Sequence, residues 1–339
     1  MAEKLAWEYP FKFRNRPCSI TLQKFGIRLY LAPQEGDEED SLKEIAREII
    51  GKISSASRCI EKKILSEVAK SEVHLGRVTI YNQVGQLRAM YGFFRRLAER
   101  AYAGKGLLID DLKKSDVSGA TPEAEKIAHS LKMAFGEPIA RDREGFYATI
   151  AMINAYFSLF EHLLVLSLPA TDFDPSQEPI TEFIASKIFE KYDRVFDAKG
   201  DAQAKEFRVR LREMAEVWRN PYGHGAFDKR HGTLHFQIPG LGPFPAILSD
   251  IRSHPTFEFS PDRESAFDLA CSLFDELDAW LRDGPIRHGV RWAEAGLNVS
   301  YDSETLNLFR SASNAGDEEF ERFLTSASYL EEKAANMEW

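Results

Sequence analysis

The sequence predicts a mainly α-helical protein, and three observations carry that prediction. The stretch from Tyr147 to Leu168 is apolar nearly all round, as a helix in the centre of a bundle is. Two amphipathic patterns follow it, one through Phe183, Ile184, Ile188, Tyr192 and Val195 and one through Phe207, Leu211, Met214 and Trp218. Strand-like alternation is confined to a few short runs.

In chain order, Ile20 and Leu22, then Ile27, Leu29 and Leu31, alternate as a pair of strands. The Gly-acidic run from Gln34 to Asp40 reads as a loop. Ser41 with Glu44 is a capping-box pattern that opens a helix carrying Leu42, Ile45 and Ile49. Ile80, Val84, Leu87, Tyr91 and Phe94 mark a second long helix that stops at Gly104 and Gly106, so the two suggest a helical hairpin. Thr121-Pro122-Glu123 starts a short helix expected to end at Gly136, before Pro138. A domain boundary is therefore expected between about residues 107 and 140.

The second half contains the apolar helix from about 143 to 168, then the two amphipathic helices. Leu234, Phe236 and Ile238 alternate, and a second run at 256–259 is expected to pair with them as a small hairpin. A final core helix begins at Ser260-Pro261 and carries Phe267, Cys271, Phe274, Leu277 and Leu281. An acidic, peripheral helix is expected near 317–334. The expected organisation is a mainly helical N-terminal domain with a short β segment over 1–120, a helical bundle over 140–285, and an acidic extension over 286–339.

Composition narrows the classes of function. Hydrophobic residues make up 44% and charged residues 29% of 339, which is ordinary for a soluble domain protein. Three scattered cysteines, Cys18, Cys59 and Cys271, form no CxxC pair, so neither a disulfide framework nor a zinc ribbon is expected. No apolar signal core opens the chain, which reads as cytoplasmic. Asn154, Ser158, Glu161 and His162 place a polar stripe on the apolar helix and argue against a membrane span. A net charge of −9 excludes nucleic-acid binding by the whole surface. From Lys187 to His231, however, eleven Lys and Arg face eight Asp and Glu, whereas from Tyr301 to Trp339 three face nine.

The basic stretch contains Arg219-Asn220-Pro221-Tyr222-Gly223-His224. Arginine clamps phosphate with a planar fork of donors, and histidine moves protons near neutral pH. Asparagine adds a neutral donor and acceptor for a ribose hydroxyl or a phosphate oxygen. Together these groups suit phosphoryl chemistry on RNA without a metal. The residue before a proline is driven out of the helical region, so a helix end is expected at Asn220, with Asn220 capping a new segment. Such a break brings Arg219 and His224 together.

An apolar helix, two amphipathic helices, then Arg-Asn, three residues and His, followed by another core helix, resembles the HEPN superfamily over about residues 140–285. The resemblance implies a metal-independent endoribonuclease with no cofactor, acting as a homodimer whose two motifs face each other. It implies that the RNA 2′-hydroxyl attacks the adjacent phosphate and leaves a 2′,3′-cyclic phosphate. His224 is then the general acid or base, Arg219 stabilises the phosphorane, and Asn220 positions the scissile group. Many members of the family are toxins or antiviral effectors. One branch carries a tyrosine two residues after the histidine, as the target of a nucleotide-transferring antitoxin. Here that position is Ala226.

Glu161 and His162, on the first core helix, are further candidates for substrate contact, as is Tyr222 by stacking. Lys229 and Arg230 belong to the same basic stretch. His224, His231 and His235 match no zinc spacing and lack a fourth ligand, so no metal is expected. Walker-type, GxGxxG and GxSxG motifs are absent. The alternative is a non-catalytic scaffold that binds RNA, nucleotide or protein, with the N-terminal helices as the protein-binding part. The acidic tail, with Asp317, Glu318, Glu319 and Glu321, is a candidate cover for the basic region.

Overall fold

A computed structural model describes residues 5–23, 26–114, 122–196, 200–220, 222, 235–239, 242–248, 255–257 and 263–336. The protein is mainly helical, with small antiparallel sheets. It divides into two compact units. The first comprises Met1–Thr79, Asp174–Thr181 and Ser300–Trp339; the second comprises Ile80–Phe173 and Glu182–Val299.

In the first unit, β1 (Leu5–Phe13), β2 (Arg16–Gln23) and β3 (Gly26–Leu31) form an antiparallel meander. The expected strand pair is β2 with β3, in a register that sets Ile20 opposite Leu29. β1 gave no expectation, because its Trp7, Tyr9 and Phe11 are interrupted by charged residues and Pro10. Arg14 and Asn15 both have positive φ and make the two-residue turn between β1 and β2, a conformation asparagine tolerates better than most residues. Buried Arg16 binds both carboxylate oxygens of Asp37 and the Ala32 carbonyl, which fixes the loop after β3. This fork holds the Asp37 carboxyl down at about 2.

Next comes α1 (Glu39–Ile60), followed by a widened π turn (Glu61–Leu65), α2 (Ser66–His74) and the two-residue strand β4 (Thr79–Ile80). The helix starts two residues before Ser41, with Glu38 at its cap and no side-chain capping bond, so the expected capping box is not formed. Leu306, Phe309 and Phe320 form the buried seam between α11 (Ser303–Ala315) and the acidic α12 (Asp317–Ala335).

The second unit is built around α5, a single helix from Pro122 to Leu166. Two expectations fail here. Pro138 neither ends a helix nor marks a domain boundary; it lies inside α5. The physical reason is tertiary: α4 (Leu107–Lys114) packs across this stretch, with Ile109 buried and Leu112 against Gly136. Packing of this kind outweighs the lost hydrogen bond of an internal proline. Within this unit the partner of α3 (Val84–Tyr102) is α5.

The two helices approach closely at Gly145, where a β-carbon would lie 2.5 Å from the Tyr102 ring. Gly145→Ala should therefore cost about 1–3 kcal/mol by overpacking, read as a lowered denaturation midpoint. Glu144, buried beside it, accepts the Leu107 and Leu108 N–H groups at 2.8 Å each and caps α4.

α5 is the one helix among the described residues long and apolar enough to cross a membrane, but 67% of its apolar window is buried inside the protein. Tyr156 stacks on Phe274 of α9 (Arg263–Asp283) at 3.8 Å between ring centroids, with Tyr91 of α3 edge-on to both. The Tyr156 hydroxyl donates to Asp278 at 2.8 Å, and Asp278 pairs with Arg88 at 2.7 Å, tying α5, α9 and α3 together. Residues 286–299, expected to begin an acidic extension, instead supply α10 (Arg287–Glu294) with buried Val290, Trp292 and Ala293.

The small sheet also differs from expectation. β5 (His235–Ile238) pairs with β6 (Gly242–Leu248), and β6 with β7 (Pro255–Phe257), so β6 lies between the two predicted strands. Pro243 and Pro245 hid β6, because proline argues against a central strand.

Candidate functional site

Asp201 opens α8 (Ala202–Met214) by accepting the Gln203 and Ala204 N–H groups. The spacing of Ala204, Phe207, Leu211 and Met214 buries one face of α8 in the core. At Ala215–Arg219 the helix widens into a π turn, and Asn220 keeps helical dihedrals of −67° and −41°. The expected break at Asn220 is therefore absent: the Asn220 N–H donates to the Ala215 carbonyl, and that bond holds a pre-proline residue in the helical region. π turns of this kind occur often at functional sites because they re-aim side chains.

The turn carries Arg219 onto α5. Its guanidinium carbon stands 5.1 Å from the centre of the Phe157 ring, and Phe157 is fully buried. Such cation–π contacts orient a cation without neutralising it. The other arginines of α8 are committed. Arg208 pairs with Asp193, and Arg210 with Glu276 at 2.6 Å. Arg212 pairs with Glu216 at 3.0 Å. Among the described residues no carboxylate pairs with Arg219, which is partly exposed.

Tyr222 sets its ring edge-on to Phe146 at 5.1 Å and remains 42% exposed; Trp218 meets the same phenylalanine. The motif is thus seated on α5 through two aromatic rings, Phe146 and Phe157. His224, Lys229 and Arg230 lie outside the described residues, as do Pro221 and the two glycines flanking His224.

The polar stripe of α5 serves the helix and its neighbours. Asn154 and Ser158 bond back to carbonyls of their own helix. Glu161 forms an ion pair at 2.6 Å with Lys191 of α7 (Ile188–Val195), whose ammonium is buried and also donates to the Ser186 carbonyl. The sequence signal for Lys191 is its place on the same helical face as Ile188, Tyr192 and Val195. A lysine at a core position needs a partner.

His162 accepts the Gln83 N–H through Nε2 at 3.0 Å, at the start of α3, and burial lowers its pKa from 6.5. The neutral imidazole is the form that accepts this bond. A folded-state value below the unfolded one means that the unfolded chain binds the extra proton. The stability His162 provides is therefore complete above the unfolded value and lost as pH falls through the folded one. Thermal melts from pH 7.5 to 5 should show this loss, and His162→Gln should flatten that part of the profile.

Among the described residues no three His, Cys, Asp or Glu side chains converge where they could hold a metal ion. Compared with known proteins, the chain matches no family model, no curated sequence and no solved structure.

Proposed function

We propose that the protein is a metal-independent endoribonuclease of HEPN type, working as a homodimer with a composite site. One observation carries this reading. Arg219 is an oriented, partly exposed cation that no described carboxylate claims, and Asn220 and His224 follow it in the sequence. The fork of Arg219 binds two phosphate oxygens and holds the charge that develops on the phosphorane. His224 takes the proton from the ribose 2′-hydroxyl, or delivers one to the departing 5′-oxygen; the second copy supplies the complementary group. The P–O5′ bond breaks as the O2′–P bond forms, leaving a 2′,3′-cyclic phosphate and a 5′-hydroxyl. DNA, without a 2′-hydroxyl, is not cut.

The test is incubation of single-stranded RNA with the protein in EDTA, followed by analysis of the product ends. Cyclic-phosphate ends support the proposal. Ends bearing a 5′-phosphate, or cutting that needs a divalent ion, defeat it. RNA bound but left intact would assign the chain to the scaffold reading.

A further inference from the structure

The helical run from Glu39 to His74 carries an apolar stripe that is exposed among the described residues. Ile49 is buried within the first unit, but Ile50, Ile53, Ile60 and Ile64 are 40–55% exposed. Up to the π turn, the spacings of three and seven from Ile50 to Ile53 to Ile60 are those of a heptad seam, with Ser57 completing the repeat. From this stripe we infer that the helix is a docking surface for a second copy of this chain, paired antiparallel.

Charge identifies both the occupant and its direction. From Glu39 to Gly51 the helix holds four acids and two bases; from Lys52 to His74 it holds five bases and three acids. A parallel copy sets like against like, and an antiparallel copy sets each half against its opposite. Arg47 and Glu61 make this specific. Both are exposed, and neither has an ionic partner among the described residues. They stand two heptads apart, equidistant from Ser54, at the same flank of the seam. An antiparallel copy with its two-fold axis near Ser54 therefore brings Arg47 of each chain beside Glu61 of the other, twice per dimer. Along the seam Ile50 meets Ile60 of the second copy, and Ile53 meets Ser57; the small residues Ser54, Ala56 and Ser57 let the backbones approach at the centre. Pairing through this helix needs nothing from Arg219 or His224, so a chain inert on RNA would still dimerise.

Sedimentation of the full chain tests the inference. The expected mass is twice 38.6 kDa at micromolar concentration. Ile53→Lys with Ile60→Lys should return it to one chain with unchanged helical content, weakening association by at least about 100-fold. Arg47→Glu and Glu61→Arg should each weaken it by roughly three- to tenfold, and the double swap should restore it. A wild-type monomer overturns the proposal, including one that instead binds phosphatidylserine vesicles through the stripe. A dimer that survives the two isoleucine substitutions places the contact elsewhere. Failure of the charge swap to rescue overturns the antiparallel arrangement.

Discussion

Arg219→Ala should lower RNA cleavage by about 10²–10³-fold while the chain stays folded. The structure separates these two effects. Among the described residues Arg219 contributes to stability through its contact with the Phe157 ring, whose loss costs about 0.5–2 kcal/mol. In catalysis it would act on the charge that appears in the transition state, where each donor counts for more. Arg219→Lys should not rescue the rate, because an ammonium cannot offer the planar fork that grips two phosphate oxygens. His224→Ala should cost about 10²–10⁴-fold through lost proton transfer. The measurement is the initial rate on a labelled RNA, with circular dichroism as the control for folding. Cleavage retained by the double variant would show that the Arg-Asn-x3-His segment is not the catalytic centre.

Glu161→Ala should destabilise the protein by about 3 kcal/mol, a large share of the 5–15 kcal/mol typical of a folded protein. The loss arises less from the carboxylate than from what it leaves behind. The Lys191 ammonium is buried and would keep only the Ser186 carbonyl as a partner. Removing both charges together, as Glu161→Leu with Lys191→Met, should recover most of the loss, since the uncompensated charge is then gone. Denaturant midpoints of the three variants provide the comparison. A Glu161→Ala midpoint equal to that of the wild type would remove Glu161 from the structural framework and return it to the candidates for substrate contact.

This pairing bears on how the site is organised. Phe157 and Glu161 are one helical turn apart on α5, so both belong to the face on which the motif is seated. The carboxylate is held by Lys191, and the ring underlies Arg219. A cation positioned by an aromatic ring keeps its charge available, whereas one paired with Glu161 would have spent it.

The division between what could be read in advance and what could not follows from range. The helices at Val84–Tyr102, Ala202–Met214, Arg263–Asp283 and Asp317–Ala335 were legible because apolar periodicity is a local property. The β2–β3 pairing was legible for the same reason. β6 was not, since its two prolines speak against a strand and only pairing on both sides establishes it. The Ser41 capping box was a permissible local pattern that the helix start at Glu39 passed over.

By itself the sequence determined the helical class, the apolar character of α5 and the presence of Arg219, Asn220 and His224 in one short segment. Only the tertiary structure decided that α5 runs unbroken through Pro138, because packing by α4 is invisible to local rules. Only the tertiary structure assigned Glu161 to Lys191 and His162 to the start of α3, since each pairing joins residues many positions apart. The same holds for Arg219. Composition shows an arginine among many, but which of them no described carboxylate pairs with depends on where the carboxylates lie in space.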